Sequence, residues 1–215
     1  GLDAIFNDSS NGPDLQSAID AIEKKSDEFT QELVPVDQIR PNPYQPRKYF
    51  DQEKLEELSL SIKEHGIFQP LLLKKSIHGY DIVAGERRHK AAIMAGLKEV
   101  PAIIVDFTDD QMMEIALLEN IQREDLNAIE EAKAYKAMMD RFHLTQEKLS
   151  ERVGKSRAHI ANTMRLLNLP EEIQNYILDG TLSMGHVKPL VGLDNEKALE
   201  IAQKAIKEKL SVRQV

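Results

Sequence analysis

The 215-residue sequence has no cysteine and no tryptophan, is 41% hydrophobic and 5% aromatic, and carries a formal net charge of −8. Zero cysteines exclude disulfides, thiol catalysis and cysteine metal sites, and the lack of any run of about 18 apolar residues excludes a membrane-spanning helix. Residues 1–32 hold eight acids and two lysines, a net of −6, so the rest carries only −2 and local basic patches can still dominate contacts with a polyanion.

The start of the chain is polar and acidic, without the basic region of a signal peptide, so a cytoplasmic protein is expected. Residues 1–32 are read as an acidic flexible tail. It opens with the hydrophobic hexapeptide Gly1-Leu2-Asp3-Ala4-Ile5-Phe6 and continues as a weakly amphipathic stretch, 15–29, that is mobile or loosely docked. The hexapeptide reads equally as a partner-binding tag or as ordinary terminal disorder.

Residues 33–36 predict a short edge strand, since Pro35 cannot donate to a central ladder. Three prolines between Arg40 and Arg47 predict a stiff loop that holds Gln45 and Arg47 in fixed positions. Asp51 caps a helix ended by Gly66, and Ile67-Phe68-Gln69-Pro70 leads into a strand over 71–74. A turn at 76–79 returns the chain as a strand over 80–84.

Ile82-Val83-Ala84-Gly85-Glu86-Arg87-Arg88 runs an apolar strand into glycine, a carboxylate and two arginines at an alanine-rich helix start. Such a turn aims backbone N–H groups and the helix dipole at an anion. Arg87 and Arg88 add forked donors suited to phosphate oxygens. The stretch is read as a phosphate cradle, against a surface helix with a solvated arginine pair. A helix to residue 95 and a strand over 101–107 complete a small mixed sheet with helices.

From Thr108 onward the pattern is all helix. Thr108 and Gln111 form a capping box opening a helix over 109–121. At its end, Glu119 and Asn120 offer oxygens to a divalent cation bridging phosphates, while Arg123, four residues after Glu119, equally suits an intrahelical ion pair. A helix over 128–142 follows. Thr145 then caps a short helix, Gly154 makes the turn and Ser156 caps a second helix: a helix-turn-helix. Between Thr145 and Arg165 the net charge is +3. Arg157 and Asn162 suit base edges, and Lys155 and the Ser156 hydroxyl suit phosphates. A solvated helical hairpin is the competing reading. Gly154-Lys155-Ser156 resembles the tail of a phosphate-binding P-loop, but Leu149 stands where that pattern needs glycine.

Taken together, Asn42-Pro43-Tyr44-Gln45-Pro46-Arg47, Gly85-Glu86-Arg87-Arg88, Glu119-Asn120-Ile121-Gln122-Arg123, Gly154-Lys155-Ser156-Arg157 and Ser183-Met184-Gly185-His186 resemble, in this order, the ParB family of chromosome-partitioning proteins. The likeness covers residues 33–215 and is greatest to the sporulation-linked partition proteins of Gram-positive bacteria. It implies an α+β fold: a small mixed-sheet nucleotide-binding domain (33–123), then an all-helical helix-turn-helix DNA-binding domain (124–215). It further implies binding and slow hydrolysis of CTP to CDP with Mg2+, recognition of palindromic parS DNA, and nucleotide-driven closure of a dimeric clamp that slides on flanking DNA.

By motif, the resemblance assigns the nucleotide to Gln45, Arg47, Gly66, Phe68, Gln69, Gly85, Glu86, Arg87, Arg88, Asn120 and Arg123. It assigns the metal to Glu119 and Asn120, with Glu119 also catalytic. DNA contacts fall to Thr145, Gln146, Lys155, Ser156, Arg157, His159, Asn162, Thr163, Arg165, Gly185 and His186. His89-Lys90 departs from the aromatic and arginine commoner there. Implied partners are a ParA-type ATPase at the N-terminal peptide, SMC condensin, and a second copy through the N-terminal domains, with a nucleoid-associated location and no membrane. The family's C-terminal dimerisation domain has no counterpart in the sequence, so a truncated form is expected. A nucleoid-occlusion paralogue, with a basic rather than acidic N-terminus, and a plain helix-turn-helix regulator are the alternatives. A sulfiredoxin-like redox enzyme is excluded by the missing cysteine.

Overall fold

A computed structural model describes residues 15–44, 50–123 and 126–215. The chain divides into two compact units, 1–117 and 118–215.

The first unit is built on a five-stranded mixed sheet of order β1-β5-β3-β4-β2, from β1 (Glu32–Pro35), β2 (Ile39–Arg40), β3 (Leu71–Ser76), β4 (Gly79–Ala84) and β5 (Glu99–Ile104). β1 lies antiparallel to β5 at one edge, with Pro35 opposite Glu99, where a missing donor costs nothing. β2 runs parallel to β4 at the other edge, and β3 is parallel to β5 and antiparallel to β4. Leu71, Leu72 and Leu73 are fully buried, as a central strand covered on both faces requires.

The strand period of two splits that run between two layers. Leu72, Val83 and Ile103 pack with α1 (Leu15–Lys24) and with Met112 and Ile115 of α4 (Asp109–Ile121). Leu71, Leu73 and Ile82 pack with Ala92 of α3 (Glu86–Met94), and Ala91 of the same helix packs on Leu55 and Ile62 of α2 (Gln52–His65).

The placement of α1 corrects the expectation of a mobile or loosely docked segment. Leu15, Ala18, Ile19 and Ile22 form one stripe at three- and four-residue spacing, and all are buried, with Leu15, Ile19 and Ile22 in the first core. Burying each large apolar side chain contributes about 1.5–3 kcal/mol, which seats a short helix that would be marginal alone. The segment's charge had masked that stripe.

The second unit is helical throughout: α5 (Ala128–Phe142), α6 (Gln146–Val153), α7 (Arg157–Arg165), α8 (Glu171–Leu178), α9 (Met184–Val187) and α10 (Asn195–Lys207). Asn127 and Glu130 close a capping box at the start of α5. Tyr135 and Met138 of α5 pack with Leu118, Ile121, Leu149, Val153 and Ile160. Ile129 packs with Leu166, Ile173, Val187 and Ala198 in a second cluster. Among the described residues no helix is long and apolar enough to cross a membrane.

Candidate functional site

Gly85 links β4 to α3 with φ +105° and ψ 23°, a left-handed conformation that only glycine adopts readily. A Cβ there would lie 3.1 Å from Leu71 Cγ and 3.3 Å from Arg88 Cζ. Glycine therefore serves twice, setting the turn and letting the Arg88 guanidinium lie close over it.

Arg88 is held within the first unit by three hydrogen bonds. Its Nη1 donates to the carbonyls of Gln69 (2.9 Å) and Pro70 (2.6 Å), and its Nη2 donates to Glu23 Oε1 (2.6 Å). The sequence placed Gln69 and Arg88 at one site, and the structure joins them through the Gln69 backbone rather than its side chain. Sequence reasoning missed Glu23; its spacing from the buried Ile22 was the available signal. Glu86 lies 3.7 Å from Lys90 in an i,i+4 ion pair, and Lys90 Nζ sits 3.5 Å above the Phe50 ring. Arg87 is exposed, as is Phe68 at 85%. Gly66 ends α2 with φ +76°.

Asn42 of the proline-rich motif and His89 beside the arginine pair are held by hydrogen bonds within the first unit. Asn42 is buried, donates from Nδ2 to the Met112 carbonyl (3.0 Å) and accepts from the Tyr44 amide (3.0 Å). His89 is buried and donates from Nε2 to the Val36 carbonyl (3.0 Å). Burial depresses its pKa and neighbouring Lys90 adds to that, against the Val36 bond. Gln45 and Arg47 lie outside the described residues.

Glu119 is exposed and Asn120 half-buried in the last turn of α4, and the Arg123 amide donates to the Asn120 carbonyl (3.3 Å). A carboxylate and a side-chain amide are hard oxygen donors, the chemistry that suits magnesium. Among the described residues no group of three or more His, Cys, Asp or Glu side chains forms a metal site.

In the second unit, Thr145 caps α6 by accepting from the Lys148 amide, Gly154 turns with φ +68°, and Ser156 caps α7 by accepting from the His159 amide (3.1 Å). Lys155, Arg157, Asn162 and Arg165 are exposed, Gln146 is half-buried, and Ile160 and Thr163 face the core. Thr163 was expected at DNA; a residue three after Ile160 shares its inward face, and Thr163 is only 4% exposed.

His159 is exposed and tied to α5. Its Nε2 lies 2.8 Å from Glu131 Oε1, which also accepts the Tyr135 hydroxyl. Burial works to raise the Glu131 pKa, but the Tyr135 hydroxyl, His159 and the Lys155 charge outweigh it and hold the carboxyl below its ordinary range. Burial, and then the bond to Glu131, push the Tyr135 hydroxyl up. Sequence reasoning missed this cluster, whose signal was the i,i+4 spacing of Glu131 and Tyr135. His186, also expected at DNA, accepts at Nδ1 from Ser183 and donates from Nε2 to the Leu210 carbonyl (3.1 Å). Gly185 packs against Val212, whose methyls would lie 2.9 Å from an added Cβ. Both residues are half-buried and make these contacts within the second unit.

Residues 20–121 match the ParB N-terminal domain and residues 124–215 the ParB HTH domain. The chain is 57% identical over 189 residues to Stage 0 sporulation protein J of Bacillus subtilis, covering 87% of this chain and 67% of that protein. It is 43% identical over 212 residues to the nucleoid occlusion protein of Bacillus cereus, covering 97% and 73%. It resembles the C-terminally truncated chromosome-partitioning protein ParB from Caulobacter crescentus complexed to the centromeric parS site, with a TM-score of 0.70 at 43% identity, over 85% of this chain and 95% of that one. The match spans 62% of the Helicobacter pylori and 61% of the Myxococcus xanthus relatives' lengths. With both domains matched in order and the fold shared, the chain belongs to the ParB family.

Proposed function

We propose that the chain is the DNA-binding and nucleotide-binding part of a chromosome-partitioning protein that recognises parS through its helix-turn-helix and uses CTP to close and reopen a clamp on DNA. The observation that carries this reading is the capped helix-turn-helix, with Arg157 and Asn162 exposed on its second helix, in a chain 43% identical to a ParB seen on parS. Arg157 and Asn162 read base edges; Lys155 and the α7 N-terminus hold phosphates.

The functional division at 33–123 and 124–215 follows the same reading. CTP rests on the Gly85 turn, whose left-handed glycine and two arginines suit phosphate oxygens, with Gln45, Arg47 and residues 66–70 framing the nucleotide. Glu119 and Asn120 hold Mg2+, which would neutralise phosphate charge; Glu119 supports slow hydrolysis to CDP, and Arg123 serves the same end of α4. The hexapeptide Gly1–Phe6, outside the described residues, engages a ParA-type ATPase. SMC condensin, a second copy through the N-terminal unit, and the nucleoid complete the setting. The 57% identity to the sporulation protein against 43% to the occlusion protein supports the partition branch.

Calorimetry tests the reading. With parS and magnesium present, CTP binds and ATP does not. Arg88→Ala loses CTP while retaining parS recognition and a cooperative melt. Equal affinity for CTP and ATP would reject the switch.

A further inference from the structure

We propose that Glu23 is a resident competitor for the anion-binding edge of Arg88, so that a phosphate arriving at the Gly85 turn must displace the carboxylate of α1. The inference rests on the cradle reading above.

The Arg88 fork has two kinds of acceptor. Nη1 is spent on two neutral carbonyls, Gln69 and Pro70, which fix the guanidinium plane. Nη2 meets a full negative charge, Glu23 Oε1, at 2.6 Å. Arginine recognises carboxylate and phosphate with the same donor geometry, so Glu23 occupies the edge that a phosphate oxygen would take. The pair is sheltered, with side chains only 18% and 21% exposed, which limits solvent screening. A phosphate beside an unmoved Glu23 meets a like charge at short range.

The carboxylate is delivered by packing. Leu15, Ile19 and Ile22 hold α1 against Leu72, Val83 and Ile103, and Glu23 follows Ile22 in the last turn. Rotation of one side chain, with α1 still seated, vacates the edge. The carbonyl contacts remain, so the guanidinium stays oriented after Glu23 leaves. Affinity for the incoming anion is thereby set by a residue in the acidic N-terminal helix.

The test titrates the full chain with CTP and magnesium, and separately with inorganic tripolyphosphate, in wild type, Glu23→Gln and Glu28→Gln. Glu28 is an exposed acid just after α1, so its variant has the same net charge as Glu23→Gln. Glu23→Gln binds both ligands roughly three- to tenfold tighter than wild type, because the anion now compensates a guanidinium left without a charged partner. Its ligand-free melting temperature falls, its ligand-induced gain grows, and Glu28→Gln matches wild type. Glu23→Asp, which keeps the charge on a shorter arm, falls between. Wild-type-like or weaker binding by Glu23→Gln, or an equal gain in Glu28→Gln, overturns the competitor. Tripolyphosphate binding that tightens in Glu23→Gln without CTP binding leaves the competitor standing and removes the nucleotide; binding of neither ligand removes both.

Discussion

His159 and Glu131 meet at 2.8 Å, Nε2 to Oε1, and so join α7 of the helix-turn-helix to the central helix α5. The same Oε1 accepts the Tyr135 hydroxyl, so one carboxylate anchors the start of the exposed basic helix to the core. The Glu131 pKa is depressed in the folded state. Its stabilisation is therefore full above the ordinary carboxylate pKa and is lost as pH falls through the lower, folded value. Glu131→Gln costs about 1–2 kcal/mol near neutrality. In melts between pH 7 and pH 3 the gap from wild type closes at the acid end; a gap constant with pH would contradict the charged contact.

His89 titrates in a different window. Burial lowers its pKa, so the neutral ring that donates to Val36 is the folded form. Below the ordinary histidine pKa the unfolded chain takes up the proton first. Stability is then full above that value and falls with pH through the depressed one. Wild type loses melting temperature on acidification from pH 7 into this range, and His89→Gln shows a flatter profile there.

Gly85→Ala and Gly96→Ala separate strain from crowding. Both glycines have positive φ, +105° and +78°, but only Gly85 has neighbours within 4 Å of an added Cβ. Gly96→Ala costs about 1–2 kcal/mol for the left-handed backbone alone. Gly85→Ala costs about 2–4 kcal/mol because Leu71 and Arg88 must also move. Denaturant melts measure the difference.

Asn42→Ala removes a buried side chain that joins the loop to the α4 backbone at Met112. The expected loss is about 1–2 kcal/mol, and it appears in ligand-free protein. A loss visible only with nucleotide bound would assign Asn42 to the ligand instead.

Two exposed residues of the helix-turn-helix divide affinity from specificity. Arg157→Ala costs roughly 1–3 kcal/mol on parS and relaxes discrimination against scrambled DNA. Lys155→Ala weakens parS and scrambled DNA alike and lowers the log–log salt slope by about one. Binding isotherms at several salt concentrations distinguish the two.

Local chemistry was legible without coordinates. Asp51, Thr145 and Ser156 cap the helices they were expected to cap, and Thr108 with Gln111 forms the expected box. Pro35 marks an edge strand, and Gly85 makes the strand-to-helix turn. Each rule acts within about four residues, where the identity of one side chain decides which backbone conformation and hydrogen bond are available.

Side-chain partners distant in sequence were not legible. Glu23 and Arg88 are 65 residues apart, Glu131 and His159 28, and Asn42 and Met112 70. The acidic balance of residues 1–32 marked α1 as mobile or loosely docked, and the family resemblance assigned to DNA a residue, Thr163, that helix period sets beside Ile160 on the inward face. By itself the sequence determined most of the elements, their caps and the family, since these depend on neighbours along the chain and on motif order; the two-residue strand β2 and the 99–104 bounds of β5, expected over 101–107, came from sheet pairing. Only the tertiary structure decided which charges meet, because an arginine or histidine can pair with any acid within reach, and packing alone sets that reach.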